Sequence, residues 1–264
     1  MPKLDQVPTS VTLSAEQFEK LYLNPMMHRQ SPLTRKLGNP TPLALGAFVV
    51  TATPLSCCLM EWRGAGGGGA AFTGVLILFG GLLLIISSIL EFVIGNTFPS
   101  VVFGHLGAFC LAFGATMTPA YNAAAPYSET MTDTIAGLHS PGFLNTFAFF
   151  LVSMALLMLI YAICALRTNL IFLVMFIAMI FCFSLLAAAY WRMALGDLLI
   201  SNRLSVAGGA ILFAVAMLGF YLLAAQLFDS VGLSLSLPIG DLSHLWDRKE
   251  IGEYEYPAAG GDPR

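Results

Sequence analysis

Leu37-Gly38-Asn39-Pro40-Thr41-Pro42-Leu43-Ala44-Leu45-Gly46-Ala47-Phe48-Val49-Val50-Thr51-Ala52-Thr53-Pro54-Leu55-Ser56-Cys57-Cys58-Leu59-Met60 holds no Asp, Glu, Lys or Arg. A helix that crosses the hydrocarbon of a bilayer needs about 20 predominantly apolar residues, and this run is long enough to supply them. Five more stretches lack those four residue types: 64–90, 92–128, 134–166, 168–191 and 204–228. The pattern predicts six helices at about 42–60, 72–93, 98–119, 142–166, 169–192 and 204–228. The fold class is therefore all-α, a polytopic membrane protein. Composition agrees. Apolar residues make up 57% of the 264 and charged residues 10%, against about 25% charged in a soluble domain. A soluble globular domain and a disordered chain are both excluded. The net charge of −3 gives no basic footprint for nucleic acid.

Outside the spans the chain reads as tails and loops. Residues 1–36 are polar and broken by Pro8, Pro25 and Pro32, with Ser14 placed to cap a short helix. They lack a basic segment followed by an apolar core, so no cleavable signal peptide is expected. Residues 37–228 form the membrane domain and 229–264 a mildly acidic tail. Gly64–Gly69 reads as a flexible loop, and 120–141 as the longest connection, punctuated by Pro126 and Pro141. Lys3, Lys20, Arg29, Arg35, Lys36, Arg167, Arg248, Lys249 and Arg264 fall on one side of a six-span chain, and only Arg63, Arg192 and Arg203 on the other. The positive-inside rule then puts both termini in the cytoplasm. Glu129 and Asp133, in a loop without Lys or Arg, fit the outer side. The five cysteines, Cys57, Cys58, Cys110, Cys164 and Cys182, sit in apolar stretches without metal-ligand spacing and read as small buried apolar residues.

Within the opening stretch, Asn39 is a good helix cap and Pro40 fits a first helical position. Pro40 and Pro42 remove two of the N–H groups that a helix start leaves unpaired, so the helix can begin at depth in the membrane. Two readings fit: a partial positive charge facing an anion path, and a plain helix start at the membrane surface. Thr51, one turn after Phe48, either lines a narrow pore or bonds its own i−4 carbonyl. Glu91-Phe92-Val93-Ile94-Gly95-Asn96 sets a carboxylate, a glycine break and an amide between two spans. An intramembrane carboxylate is a functional candidate by default, but Glu91 also fits a group reaching the interface, and Asn96 a cap for the third helix. Gly104, Ala108, Ala112 and Thr116 form a small-residue face suited to close helix contact. His105, within the third span, reads as a proton relay or as a residue bonded to a neighbouring helix. No catalytic set, cofactor motif or metal-ligand cluster emerges, so no enzyme is expected.

Together these residues resemble the acetate uptake transporter family, the acetate and succinate permeases of microbes and fungi. Its Asn-Pro-Ala-Pro-Leu-Gly-Leu signature is matched by Asn39, Pro40, Pro42, Leu43 and Leu45, with Thr41 and Ala44 departing. Its Glu-x-x-x-Gly-Asn-Thr-Phe block is present as Glu91, Gly95, Asn96, Thr97 and Phe98. Gly107, Phe109 and the closing Pro238-Ile239-Gly240 also match, so the resemblance covers about residues 37–246. It implies six helices around a pore within each protomer, a hexamer, and a hydrophobic constriction. By position the constriction falls on Phe48, on Leu106 where the family has Tyr, and on Met179 where it has Leu; Cys110 stands where Trp is usual.

The sequence reading is thus a plasma-membrane transporter or channel for small monocarboxylates, acetate first and succinate second, without cofactors. The expected partners are the solute, the lipid bilayer and further copies of the chain. Asn39, Pro40 and the helix start they form would attract the carboxylate, Phe48, Leu106 and Met179 would strip its water, Thr51 would replace part of its hydration, and Glu91 with Asn96 would support the path. The competing readings are an ammonium or small-solute channel, and a membrane sensor whose tail, with the acidic stretch 247–255, binds partners.

Overall fold

The computed structural model describes residues 37–128, 134–235 and 237–242. The helix expected from Ser14, the basic residues of the first 36, Glu129, Asp133 and the charged stretch after 242 lie outside the described residues. Six helices are long and apolar enough to cross a membrane: α1 (Thr41–Leu59), α2 (Gly67–Val93), α3 (Thr97–Met117), α4 (Pro141–Ala165), α5 (Leu170–Ala194) and α6 (Leu198–Ser230). A one-turn helix, Thr134–Leu138, precedes α4. Among the described residues there is no β-strand, only an isolated antiparallel bridge between Asn169 and Asp241.

Local chemistry sets the helix ends. Ser140 accepts from the Phe143 amide and Pro141 follows it to open α4. Asn169 accepts from Phe172 N–H to open α5, and Asp197 from Ile200 N–H to open α6. That last cap explains a difference from the sequence reading, which began the sixth helix at 204. α6 starts at Leu198 and carries Arg203 inside its second turn. A charge near a helix end reaches the surface along its own stem and does not mark a boundary. The predicted loop Gly64–Gly69 is a pair of 3₁₀ turns, Trp62–Gly64 and Gly67–Phe72, in which Gly64, Gly67, Gly68 and Gly69 all take positive φ.

α2 is not a uniform helix. Its residues Leu76–Leu83 form a π-helical segment that includes Gly80 and Gly81. A Cβ on Gly80 would lie 2.7 Å from Thr51 Cγ2 and 2.9 Å from Cys110 Sγ, and one on Gly81 would overlap Leu111. These two positions let α2 sit against both α1 and α3. The seat on α3 is Gly104, Gly107 and Gly114, which face Ser88, Gly81 with Ile85, and Ile77. Within the protomer, the small-residue face expected at Gly104, Ala108 and Ala112 is therefore rotated: Gly104 packs inward, while Ala108 and Ala112 are exposed.

The helices close into a ring. α2 packs between α1 and α3, α6 between α1 and α5, and α4 against α5. The seam between α3 and α4 is closed by aromatic side chains: Phe98 with Tyr161 (6.0 Å between ring centroids), Phe109 with Phe150 (5.5 Å) and Phe113 with Phe147 (5.9 Å). The core is continuous around this ring, from Leu45 and Ala52 through Val102, Met158 and Phe176 to Val215.

Candidate functional site: an apolar constriction and a buried carboxyl lock

Five of the six helices contribute to the lining of a narrow cavity of about 30 Å³. Leu45 and Phe48 come from α1, Val102, Phe103 and Leu106 from α3, Met158 from α4, Phe172, Met175, Phe176 and Met179 from α5, and Val215 from α6. Each of these side chains is apolar. A water molecule needs roughly 10–15 Å³ measured this way, so the space admits one or two waters and is too narrow for a small organic acid unless side chains move. Phe48, Leu106 and Met179, from three separate helices, all line it.

Thr51 does not line the cavity. Its hydroxyl donates to Ala47 O at 2.9 Å and its methyl faces Gly80. That geometry fits the reading of a hydroxyl bonded to its own i−4 carbonyl.

The second feature lies at the α1 opening. Asn39 Oδ1 accepts from Thr41 N–H at 3.1 Å, while the cap position itself falls on Pro40, one residue later than expected. Pro40 is buried and its carbonyl accepts from Leu43 and Ala44. Thr41 Oγ1 then donates to Glu91 Oε1 at 2.5 Å, and Asn96 Nδ2 donates to Glu91 Oε2 at 2.7 Å. The Asn96 amide also donates to the Glu91 carbonyl at 2.9 Å. Glu91 is fully buried within the protein. Asn96 occupies the cap position of α3, but its side chain serves Glu91 instead of an α3 amide. The lock ties the start of α1 to the α2–α3 junction. It also means that the carboxyl group nearest the positive end of α1 is the protein's own.

His105 is exposed on α3, and its Nδ1 lies 2.9 Å from Val101 O and 2.8 Å from Tyr161 Oη on α4. The reading of a histidine bonded to a neighbouring helix fits this geometry. Pro238-Ile239-Gly240 returns to the α4–α5 turn: Leu170 N–H donates to Gly240 O, Leu242 N–H to Thr168 O, and Tyr221 Oη to Pro238 O. Cys58 and Cys182 are buried as expected, but Cys164 is exposed on α4. Among the described residues no cluster of three or more His, Cys, Asp or Glu is placed to hold a metal ion. Sequence reasoning missed Thr41 as the partner of Glu91 and Tyr161 as the partner of His105. It also missed Gln226, although that residue is the lone amide in the charge-free stretch 204–228.

Comparisons with known proteins agree with this architecture. The profile of the GPR1/FUN34/yaaH family matches residues 21–243. The protein alcS of Aspergillus fumigatus is 63% identical over 249 residues, covering 94% of this chain and 92% of its own. The acetate transporter protein patA of Aspergillus clavatus is 35% identical over 221 residues, covering 84% of this chain and 85% of its own. Among solved structures, that of the bacterial acetate channel SatP superposes with a TM-score of 0.60 at 22% identity, covering 77% of this chain and 99% of that one. At that identity the likeness speaks for the fold.

Proposed function

The chain belongs to the GPR1/FUN34/yaaH family, and from that premise we propose that it is a membrane transporter or channel for small monocarboxylates, acetate first. The observation that carries the proposal is the convergence of Phe48, Leu106 and Met179 on one apolar cavity inside the helix ring. A path that narrows to the width of a water favours small solutes and strips them of hydration at the pinch. The Glu91 lock supports this by positioning. Thr41 is two turns before Phe48 on α1, and Asn96 opens the helix that carries Leu106, so the carboxyl group holds two walls of the constriction in register. Relatives named as acetate transporters support acetate as the solute. Residues 37–228 form the transport domain and the flanking segments are tails. Both termini lie in the cytoplasm, the membrane is the plasma membrane, the assembly is a hexamer, and succinate is a second solute.

Labelled-acetate uptake into liposomes carrying the purified protein tests the proposal. Uptake above that of protein-free liposomes is expected. Ammonium uptake without acetate uptake would move the assignment to an ammonium channel, and no flux of either would leave a sensor without transport.

A further inference from the structure

Among the described residues, one buried side-chain oxygen or nitrogen has no hydrogen-bond partner: Oε1 of Gln226 on α6. Every residue adds about 100° of turn and 1.5 Å of rise to an α-helix. Gln226 is eleven residues beyond Val215, which amounts to about 16 Å along the axis and roughly 20° of rotation. It therefore lies on the helix face that carries Val215 into the cavity, with the fully buried Leu222 between them. α6 runs antiparallel to α1: Gly219 packs against Val49, and Leu223 lies opposite Gly46. Gln226 thus stands level with the first turn of α1, where Pro40 and Pro42 supply no N–H. At this end Glu91 is already engaged by Thr41 and Asn96, and Tyr221 by Pro238.

We infer that the carboxamide of Gln226 is a binding site for the protonated carboxyl group of the solute, at the α1-opening end of the path. The inference rests on the reading of this chain as a path for small carboxylic acids. An unpaired amide oxygen needs a donor, and leaving it without one costs desolvation energy. A carboxylic acid supplies that donor: its O–H donates to Oε1 while Nε2–H donates to its carbonyl, closing a ring of two hydrogen bonds. A carboxylate anion accepts only from Nε2 and sets its charge against the Oε1 lone pairs. Gln226 does not titrate, so the selection acts on the form of the solute. The charged residues described at this end are Glu91, held in its lock, Asp229 three residues further along α6, and Arg167 and Asp241 at the α4–α5 turn.

Labelled-acetate uptake into liposomes is measured with and without unlabelled acetamide, a neutral amide that forms the same two-bond ring. Thermal unfolding of the detergent-purified protein is followed with acetamide alone. Gln226→Met keeps the side-chain length but removes the amide; uptake should fall about tenfold, the worth of two net hydrogen bonds. Acetamide should inhibit uptake and raise the unfolding temperature in the wild type and do neither in the variant. Wild-type uptake and undiminished acetamide inhibition in Gln226→Met would overturn the site. If that variant is not monodisperse, Gln226→Ala decides by the same readouts. If the wild-type protein takes up no acetate, the transport reading fails. The site then stands on an acetamide shift that Gln226→Met abolishes, and falls if the wild type shows none.

Discussion

Thr41→Val is the sharpest probe of the buried lock, because it removes one hydroxyl from a residue of nearly unchanged shape. In the native arrangement the two Glu91 oxygens receive one donor each, from Thr41 at 2.5 Å and Asn96 at 2.7 Å, with no solvent exposure of the residue. Leaving a buried acceptor without its donor costs about 1–3 kcal/mol, since the bare oxygen cannot recover the bond from water. For a protein of this size about 1 kcal/mol shifts the unfolding midpoint by roughly 2–4 °C. A loss near 2 kcal/mol should therefore lower the midpoint of Thr41→Val by about 4–8 °C. Glu91→Gln should cost less, about 1 kcal/mol. Its amide oxygen still accepts from Asn96, and its NH₂ donates to a Thr41 hydroxyl that rotates to accept. Glu91→Ala should cost most, about 3–5 kcal/mol, since it strands two donors and opens a cavity. The assay is thermal unfolding of detergent-purified protein, read by the surviving size-exclusion peak. The ordering Gln, then Val at 41, then Ala is the prediction. A Thr41→Val midpoint within about 1 °C of wild type would show that the hydroxyl does not bear on the lock.

Three further outcomes are expected. Phe48→Ala should widen the constriction and admit larger monocarboxylates, seen as propionate and butyrate competing more strongly with labelled acetate; unchanged competition would take Phe48 off the path. Ala108→Leu should weaken the oligomer, because Ala108 is exposed on a face of α3 that no helix of its own protomer covers; an unshifted size-exclusion volume and unchanged melting would give that face to lipid. Tags at either terminus should label only after permeabilisation, and labelling of intact cells would reverse the topology.

The membrane spans were legible because a missing charge is a local signal. Each of the six runs announces itself without reference to any other part of the chain. α6 shows where that signal fails: Arg203 reads as a boundary, although Asp197 is the residue that caps the helix. Phe48, Leu106 and Met179 were placed together by family resemblance, since they come from three helices and no periodicity relates them. The lock was half legible. Glu91 and Asn96 are neighbours in sequence and were singled out together. Thr41 lies fifty residues away, at the one position where the Asn-Pro-Ala-Pro signature has alanine, and its role appears only when α1 and α2 are packed. The rotation of the α3 contact face was hidden for the same reason. Gly104, Gly107 and Gly114 face α2, whose π segment sets Gly80 and Gly81 against α3, and a four-residue count assumes a regular α-helical partner.

The electrostatics of the path lead to a dependence on pH. The constriction has no polar side chain, and the start of α1 is already paired with Glu91. An anion in such a place loses hydration without compensation, at far greater cost than a neutral acid, which gives up only a few hydrogen bonds. The neutral form should therefore be the one that passes. A carboxyl group has an ordinary pKa of roughly 4, so between pH 7 and pH 6 the anion stays close to constant while the neutral fraction rises about tenfold. At fixed total acetate, protein-dependent uptake should rise by nearly that factor as the outer pH falls from about 7 to 6, once uptake into protein-free liposomes is subtracted. The subtraction matters because acetic acid also crosses bare lipid. His105→Gln removes the imidazole on α3 that meets Val101 O and Tyr161 Oη, and serves as the control. An unchanged slope in that variant and in Glu91→Gln, which removes the buried carboxyl group at the α1 opening, assigns the dependence to the solute. Uptake that stays flat from about pH 7 to 6 in the wild type would mean that the anion itself passes, and that the apolar ring must open to water before the solute reaches Phe48.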